Sequence, residues 1–386
     1  MYDIVVQPQP PWLPKELSRE LPRVRIAHTP TPIHPWRLPT SLLPPELGVD
    51  MYIKRDCHSG SEMSGNKIRK LEYILADALA SGADCVVTLG GIQSNHCRAT
   101  VAAANALGLE AHVVLRTSKL VVEDDDPGWT GNLLVSRLSN AKIHLVTKEE
   151  YARYGQAELG RRVVAELESQ GKKPYLIVVG GSSALGTFGY LNMVEELGQQ
   201  ALEEEEGEED GARPFDKLVV ACGSGGTVAG IALGLNEHPL FHDATTLDAV
   251  MVCDNAAYFT NHIVSLFTEL GLDEARALNV LERTTTFIQG KGAGYSVSKN
   301  EELDSLIDIA GESSIVLDPT YTAKAIHYWL QHVRNHPEEY RGKRVLFVHT
   351  GGLSSVHGSD ALERRMEAKR RKERESGGGQ CRRLML

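Results

Sequence analysis

The run SGNKIRKLEY at 64–73 puts Lys67 behind Ser64, Gly65 and Asn66, at a point where a helix is expected to begin. A lysine amine adds to an aldehyde only as the neutral base, and at an unperturbed pKa of about 10.4 roughly one in a few thousand is neutral at pH 7. A helix amino end, with unpaired N–H groups and a positive dipole, disfavours the ammonium and suits an electrophile carrying phosphate. Lys67 is therefore a candidate Schiff-base lysine, although taken alone such a tetrapeptide more often holds a solvated lysine. Two further segments change that balance. GGIQSNHCRA at 90–99 follows the apolar run Val86-Val87-Thr88-Leu89, and ACGSGGTVAG at 221–230 follows Leu218-Val219-Val220; each precedes a small-residue helical stretch. Strand, tight polar loop and helix turn backbone N–H groups toward an anion. Gly223, Gly225 and Gly226 miss the GxGxxG spacing and no GKS or GKT occurs, which disfavours nucleotide sites.

These three segments, in this order, resemble the fold-type II pyridoxal-phosphate enzymes, and most closely the branch that contains D-cysteine desulfhydrases and 1-aminocyclopropane-1-carboxylate deaminases. The resemblance runs from TPTPIHPW (29–36) through KRDCHSGSEMSGNKIRKLEY (54–73) and GGIQSNHCRAT (90–100) to LDPTYTAKA (317–325) and HTGGLSSVHG (349–358). It implies an α/β fold of the tryptophan synthase β type, with two open, twisted, mostly parallel sheets flanked by helices. It also implies pyridoxal 5'-phosphate as cofactor, a small amino-acid substrate and a homodimer.

The elements that must position these residues follow from the apolar patterning. Strands are expected near 51–54, 85–89, 111–115, 142–146 and 175–179, then at 217–221, 248–252 and 344–348. Helices are expected from about Asn66 and at 94–107, 130–138, 150–170, 255–270, 300–310 and 321–334. Three βα crossovers would set the strands between 85 and 179 into one parallel sheet. Residues 71–186 then read as a small domain inserted into a large cofactor-binding domain made of 1–70 and 187–386. Ligands of open α/β sheets lie at the carboxyl ends of strands, and here two sheets would present such ends to one cleft.

Composition bounds the alternatives. The chain has 386 residues, 42% of them hydrophobic, and a formal charge of −10, which argues against a surface that coats nucleic acid. Six cysteines (57, 85, 97, 222, 253, 381) are scattered without a CxxC pair, as suits thiols in a reducing compartment. The N-terminus carries neither a basic-then-apolar signal nor an Arg-rich, acid-poor transit pattern, and no apolar stretch approaches a membrane span. A cytoplasmic location is expected, with no membrane or nucleic-acid partner. EEEEGEED (203–210) reads as a solvated loop insertion, and 364–386 as a charged tail whose mixed-charge helix frays into SGGGQ.

The resemblance also assigns roles. Lys67 would hold the cofactor and, once freed, move the Cα proton of the substrate. Lys70, one turn on, would contact the phosphate, with a surface lysine as the competing account. Ser94 would reach the substrate carboxylate and Asn95 the cofactor's phenolic oxygen, a location where a serine also caps a helix. His96 is left open. Gly223, Ser224, Gly225, Gly226 and Thr227 match the phosphate loop. Tyr295 and Tyr321 would flank the substrate, or serve as core tyrosines. Deaminases of the branch carry glutamate, facing the pyridine nitrogen, where this chain has Thr322, and leucine where it has Thr350. Both departures match the desulfhydrase type. They imply α,β-elimination on D-cysteine to pyruvate, hydrogen sulfide and ammonia, with aminocyclopropane-carboxylate deamination, elimination from serine, cysteate or chloroalanine, and cofactor binding without turnover as the rivals.

Overall fold

The computed structural model describes residues 3–7, 9–117, 128–205 and 214–375. Its larger sheet has six strands in the order Thr285–Gln289, Thr246–Met251, Lys217–Cys222, Arg344–Val348, Asp50–Lys54 and Ile33–Pro35. Every neighbouring pair is parallel except the last. The smaller sheet is wholly parallel, in the order Lys142–Val146, Glu110–Arg116, Cys85–Gly91 and Pro174–Leu176. Ile4–Gln7 and Leu21–Val24 form a separate antiparallel pair. The expected class, an α/β fold with two mostly parallel sheets flanked by helices, is the one observed.

Side chains alternate across a strand, and the central strand of the large sheet uses both faces. Leu218, Val220 and Cys222 enter a core with the helices Ala184–Glu205, Gly226–Glu237 and Ala256–Leu270. Val219 and Ala221 enter the opposite core with the helices Asn300–Ser313 and Thr322–Asn335. Two-sided burial explains why these strands read as unbroken apolar runs. In the small sheet Val86 and Val113 face the helices Asn66–Ala80 and Asn95–Ala106. Cys85, Val87 and Val114 face Leu159, Val163 and Leu167 of the helix Lys148–Ser169.

Several elements differ from expectation. The strand expected at 175–179 ends at Leu176 and is followed by a single 3-10 turn, Val179–Gly181. The helix Ala184–Glu205 was not anticipated; it continues through the first three residues of the acidic run, whose remainder at 206–210 lies outside the described residues. The edge strand Thr285–Gln289 and the helix Glu274–Thr284 were also missed. The charged C-terminal segment starts as the helix Asp360–Glu375, and it is docked rather than free. Leu362 is buried and Arg365 pairs with Asp304 of the helix Asn300–Ser313; residues 376–386 lie outside the described residues.

Candidate active site

A cavity of about 320 Å³ opens where the two sheets meet, within the range of small-molecule sites. Its wall is built from strand ends and the residues just past them. Gly90, Gly91 and Arg116 come from the small sheet, and Ala221, Cys222, Cys253 and Thr350 from the large one.

Lys67 is the second residue of the helix Asn66–Ala80 and lines this cavity. The turn before it is held by close packing. Gly65 has φ +102°, and a Cβ there would lie 2.7 Å from the Thr350 carbonyl oxygen, so glycine is required. The Asn66 amide donates to that same carbonyl at 3.0 Å, which ties the lysine turn to the HTGG segment. Burial pushes the Lys67 amine down to about 8, and no carboxylate pairs with it among the described residues. Lys70 is fully buried and is pushed well below its ordinary value, by burial first and by Lys67 second; its Nζ donates to Gly180 O at 3.3 Å. It is not a surface lysine.

The glycine loop stands opposite. Gly225 has φ +84°, and a Cβ on Gly226 would come within 2.8 Å of Ser182 Oγ and 3.2 Å of Lys70 Nζ. Bare backbone and a cation therefore share one corner. Thr227 lines the cavity and accepts from Asn66 Nδ2 at 3.0 Å. Ser182 donates to the Ser224 carbonyl at 2.5 Å and bonds His262 Nε2 at 2.9 Å.

Ser94 caps the helix Asn95–Ala106 by accepting from the Cys97 amide at 3.1 Å, and Ser94, Asn95 and His96 all line the cavity. Thr88 donates to the Ile177 carbonyl, so its oxygen accepts from His96 Nε2 at 2.9 Å. His96 Nδ1 is then left as a buried acceptor without a hydrogen-bond partner among the described residues, and burial holds this imidazole well below its ordinary pKa. Tyr295 and Tyr321 share a hydrogen bond of 2.6 Å at the cavity wall. Burial raises both phenols, Tyr321 the more strongly, so both hydroxyls stay protonated near neutrality.

Thr350 lines the cavity, whereas Thr322 does not. The expectation that Thr322 faces a ring nitrogen is not met. Asp318 caps the helix Thr322–Asn335, accepting from the amides of Thr320, Tyr321 and Thr322. The fully buried Thr322 hydroxyl completes this cap by donating to Asp318 Oδ1 and accepting from the Asp318 amide, each at 2.8 Å.

Sequence reasoning missed several cavity residues. Gly180 is one: a Cβ there would lie 2.3 Å from Ser224 Oγ and 3.6 Å from Lys67 Nζ. Its signal was present, since Gly180-Gly181 also follows an apolar run, Leu176-Ile177-Val178-Val179. Arg116 is another. It ends its strand, beside Gly91 in register, and its guanidinium lies 5.1 Å from the centroid of the Tyr151 ring, with no carboxylate partner among the described residues.

A half-buried lysine and a fully buried one, neither with a carboxylate partner among the described residues, facing a cradle of bare backbone call for an anion that carries an electrophile, and that is the chemistry of pyridoxal phosphate. The residues present fit it: Lys67 for the aldehyde, Lys70 and the loop at 223–227 for the phosphate. Fold and site together define a pyridoxal-phosphate-dependent enzyme, and the chain belongs to that family, whose profile, described as pyridoxal-phosphate dependent enzyme, matches residues 24–351. Among its relatives is the mitochondrial bifunctional D-cysteine desulfhydrase/1-aminocyclopropane-1-carboxylate deaminase of Arabidopsis thaliana, 43% identical over 86% of this chain and 78% of that protein. A D-cysteine desulfhydrase of Klebsiella pneumoniae is 34% identical over 87% of this chain and 95% of its own length. A solved structure of an ACC deaminase homologue superposes with a TM-score of 0.72 at 32% identity, covering 90% of this chain and 97% of the other.

Proposed function

We propose that this protein eliminates the β-substituent of a small amino acid, with D-cysteine and one water consumed and pyruvate, hydrogen sulfide and ammonia as products. The observation that carries the reading is the half-buried Lys67, depressed to about 8, in one cavity with the glycine loop; the two relatives named for D-cysteine desulfhydrase activity support the substrate. When bound, pyridoxal phosphate supplies an electrophilic aldehyde and an electron sink for the Cα electrons. Lys67 would attach it and, as a free amine, would take the Cα proton. Lys70 and the amides at 223–227 hold the phosphate. Asn95 would orient the cofactor by a hydrogen bond to its phenolic oxygen, and Thr350, which also lines the cavity, would contact it. The Tyr295–Tyr321 pair, kept protonated by burial, offers a proton to the departing sulfur. Ser94 and the helix end behind it receive the substrate carboxylate, and Arg116 supplies the countercharge. A soluble homodimer in the cytoplasm or an organelle matches this reading; the plant relative is named mitochondrial.

Ring opening of 1-aminocyclopropane-1-carboxylate is the second reading, because that same plant relative is named as bifunctional. One assay separates the two. Sulfide and pyruvate release from D-cysteine and L-cysteine is measured beside ketobutyrate release from the cyclopropane. Sulfide from D-cysteine should dominate, and faster ketobutyrate release would overturn the substrate assignment.

A further inference from the structure

Asn132, on the short helix Gly131–Leu138, is fully buried and does not itself line the cavity. Its hydrogen bonds are nonetheless directional. Arg98 Nε donates to Asn132 Oδ1 at 2.9 Å. A guanidinium has only donors, so the carbonyl end of this amide must face Arg98. The amino end is thereby turned the other way, where Nδ2 donates to the Gln93 carbonyl at 2.9 Å and to Asn95 Oδ1 at 2.7 Å. Asn95, which lines the cavity, then has its acceptor occupied, and its own Nδ2 makes no hydrogen bond among the described residues. That group lies 3.1 Å from where a Cβ on Gly352 would stand, beside the HTGG segment. Arg98 in turn donates to the carbonyls of Glu62 and Ser64, in the segment that leads into Lys67.

We infer that Asn132 is a positioning residue that fixes which end of the Asn95 amide faces the cofactor, so that a donor, never an acceptor, meets its phenolic oxygen. The polarity starts at Arg98 and passes through two amides. The inference rests on the proposed contact between Asn95 and the cofactor, and adds a residue to it that touches neither cofactor nor substrate.

Titration of cofactor-free protein with pyridoxal phosphate, followed by visible absorbance across pH, tests it on wild type, Asn95→Ala, Asn132→Ala and the double variant. Asn132→Ala should weaken affinity about tenfold, the size of one hydrogen bond, and should move the pH at which the absorbance changes in the same direction as Asn95→Ala does. Adding Asn132→Ala to Asn95→Ala should cost nothing more, because the first acts through the second. Wild-type affinity and spectrum in Asn132→Ala, or losses that simply add, would overturn the role of Asn132. A silent Asn95→Ala would instead remove the cofactor contact itself, and the inference with it. Should Asn132→Ala fail to fold, Asn132→Ser keeps an acceptor for Arg98 but falls short of Asn95, and the same outcomes apply to it.

Discussion

At the scale of single residues the chemistry turns on how burial sets protonation. Lys67 descends from an ordinary 10.5 to about 8, with burial as the leading cause. At pH 7 about a tenth of such amines are neutral, against roughly one in a few thousand for a solvated lysine. Between about pH 8 and 10.5 the unfolded chain binds more protons at this site than the folded one, so its contribution makes cofactor-free protein more stable as pH rises through that window. The rate of cofactor attachment to cofactor-free protein should climb about tenfold per pH unit up to about 8 and then level. Stopped-flow absorbance from pH 6 to 9.5 reads this, and a rise that continues to pH 9.5 would contradict it. Lys67→Ala should lose the covalent link, and borohydride reduction followed by peptide mapping should label no other lysine. Thr322 belongs to the same scale but to another role. Thr322→Val removes two hydrogen bonds from the Asp318 cap and should lower stability by about 1–3 kcal/mol while leaving the spectrum of the bound cofactor unmoved. Thr350→Val should do the reverse. Urea unfolding and absorbance on both variants check the pair, and a spectral shift in Thr322→Val would return that residue to the cavity.

At the scale of elements, a glycine loop that holds phosphate as proposed would work through backbone N–H groups, so bulk should harm it more than loss of side-chain polarity. Gly225 combines φ +84° with a would-be Cβ 2.9 Å from His262 Cδ2. Gly225→Val should weaken pyridoxal-phosphate affinity far more than Ser224→Ala, and equal affinities in a titration would show that the loop does not hold phosphate. This part of the molecule was readable because strand, glycine turn and helix are contiguous in sequence. The helix Ala184–Glu205 was not, since Gly186, Gly189 and the Ser and Thr around them are poor helix formers. Packing decides there: a Cβ on Gly189 would lie 2.3 Å from the Arg69 carbonyl, and one on Gly230 would lie 2.4 Å from Tyr190 Cβ. Three helices meet through these gaps. The Thr322 misplacement has a similar origin, because the sequence gives the order of Tyr321 and Thr322 but not which of two adjacent side chains turns into the helix cap. His262 and Asn132 reach the site's residues through contacts between segments far apart in the chain, and no local pattern marks them.

At the scale of the whole molecule, a buried ionic network shares the helix that carries Lys67. Lys54, at the end of a large-sheet strand, meets Glu196 at 2.6 Å. Arg69, in the same helix as Lys67, pairs with Glu196 at 2.9 Å and with Asp56 at 2.8 Å. Asp56 also accepts from Tyr190 and Thr31. Two cations and two carboxylates thus balance where the strand, the Lys67 helix and the helix Ala184–Glu205 converge. Such a network adds little net stability over an apolar replacement, yet removing one member leaves charges stranded, at about 3–5 kcal/mol. Burial raises the Glu196 carboxyl, but Arg69 and Lys54 overcome this and hold it down at about 2. A carboxyl depressed in the folded state contributes stability that is present above its unfolded value of 4.5 and is lost as pH falls toward 2. Glu196→Gln should therefore be strongly destabilised at pH 7, where Lys54 and Arg69 lose their counterion. Below pH 4.5 the difference from wild type should shrink, because the unfolded wild-type chain then takes up a proton at Glu196 that the folded form, held at about 2, does not. Urea unfolding at pH 7, 4.5 and 3 measures it. A wild-type advantage that does not change with pH would mean that Glu196 acts by shape and hydrogen bonding, and that the charge balance does not hold these three elements together.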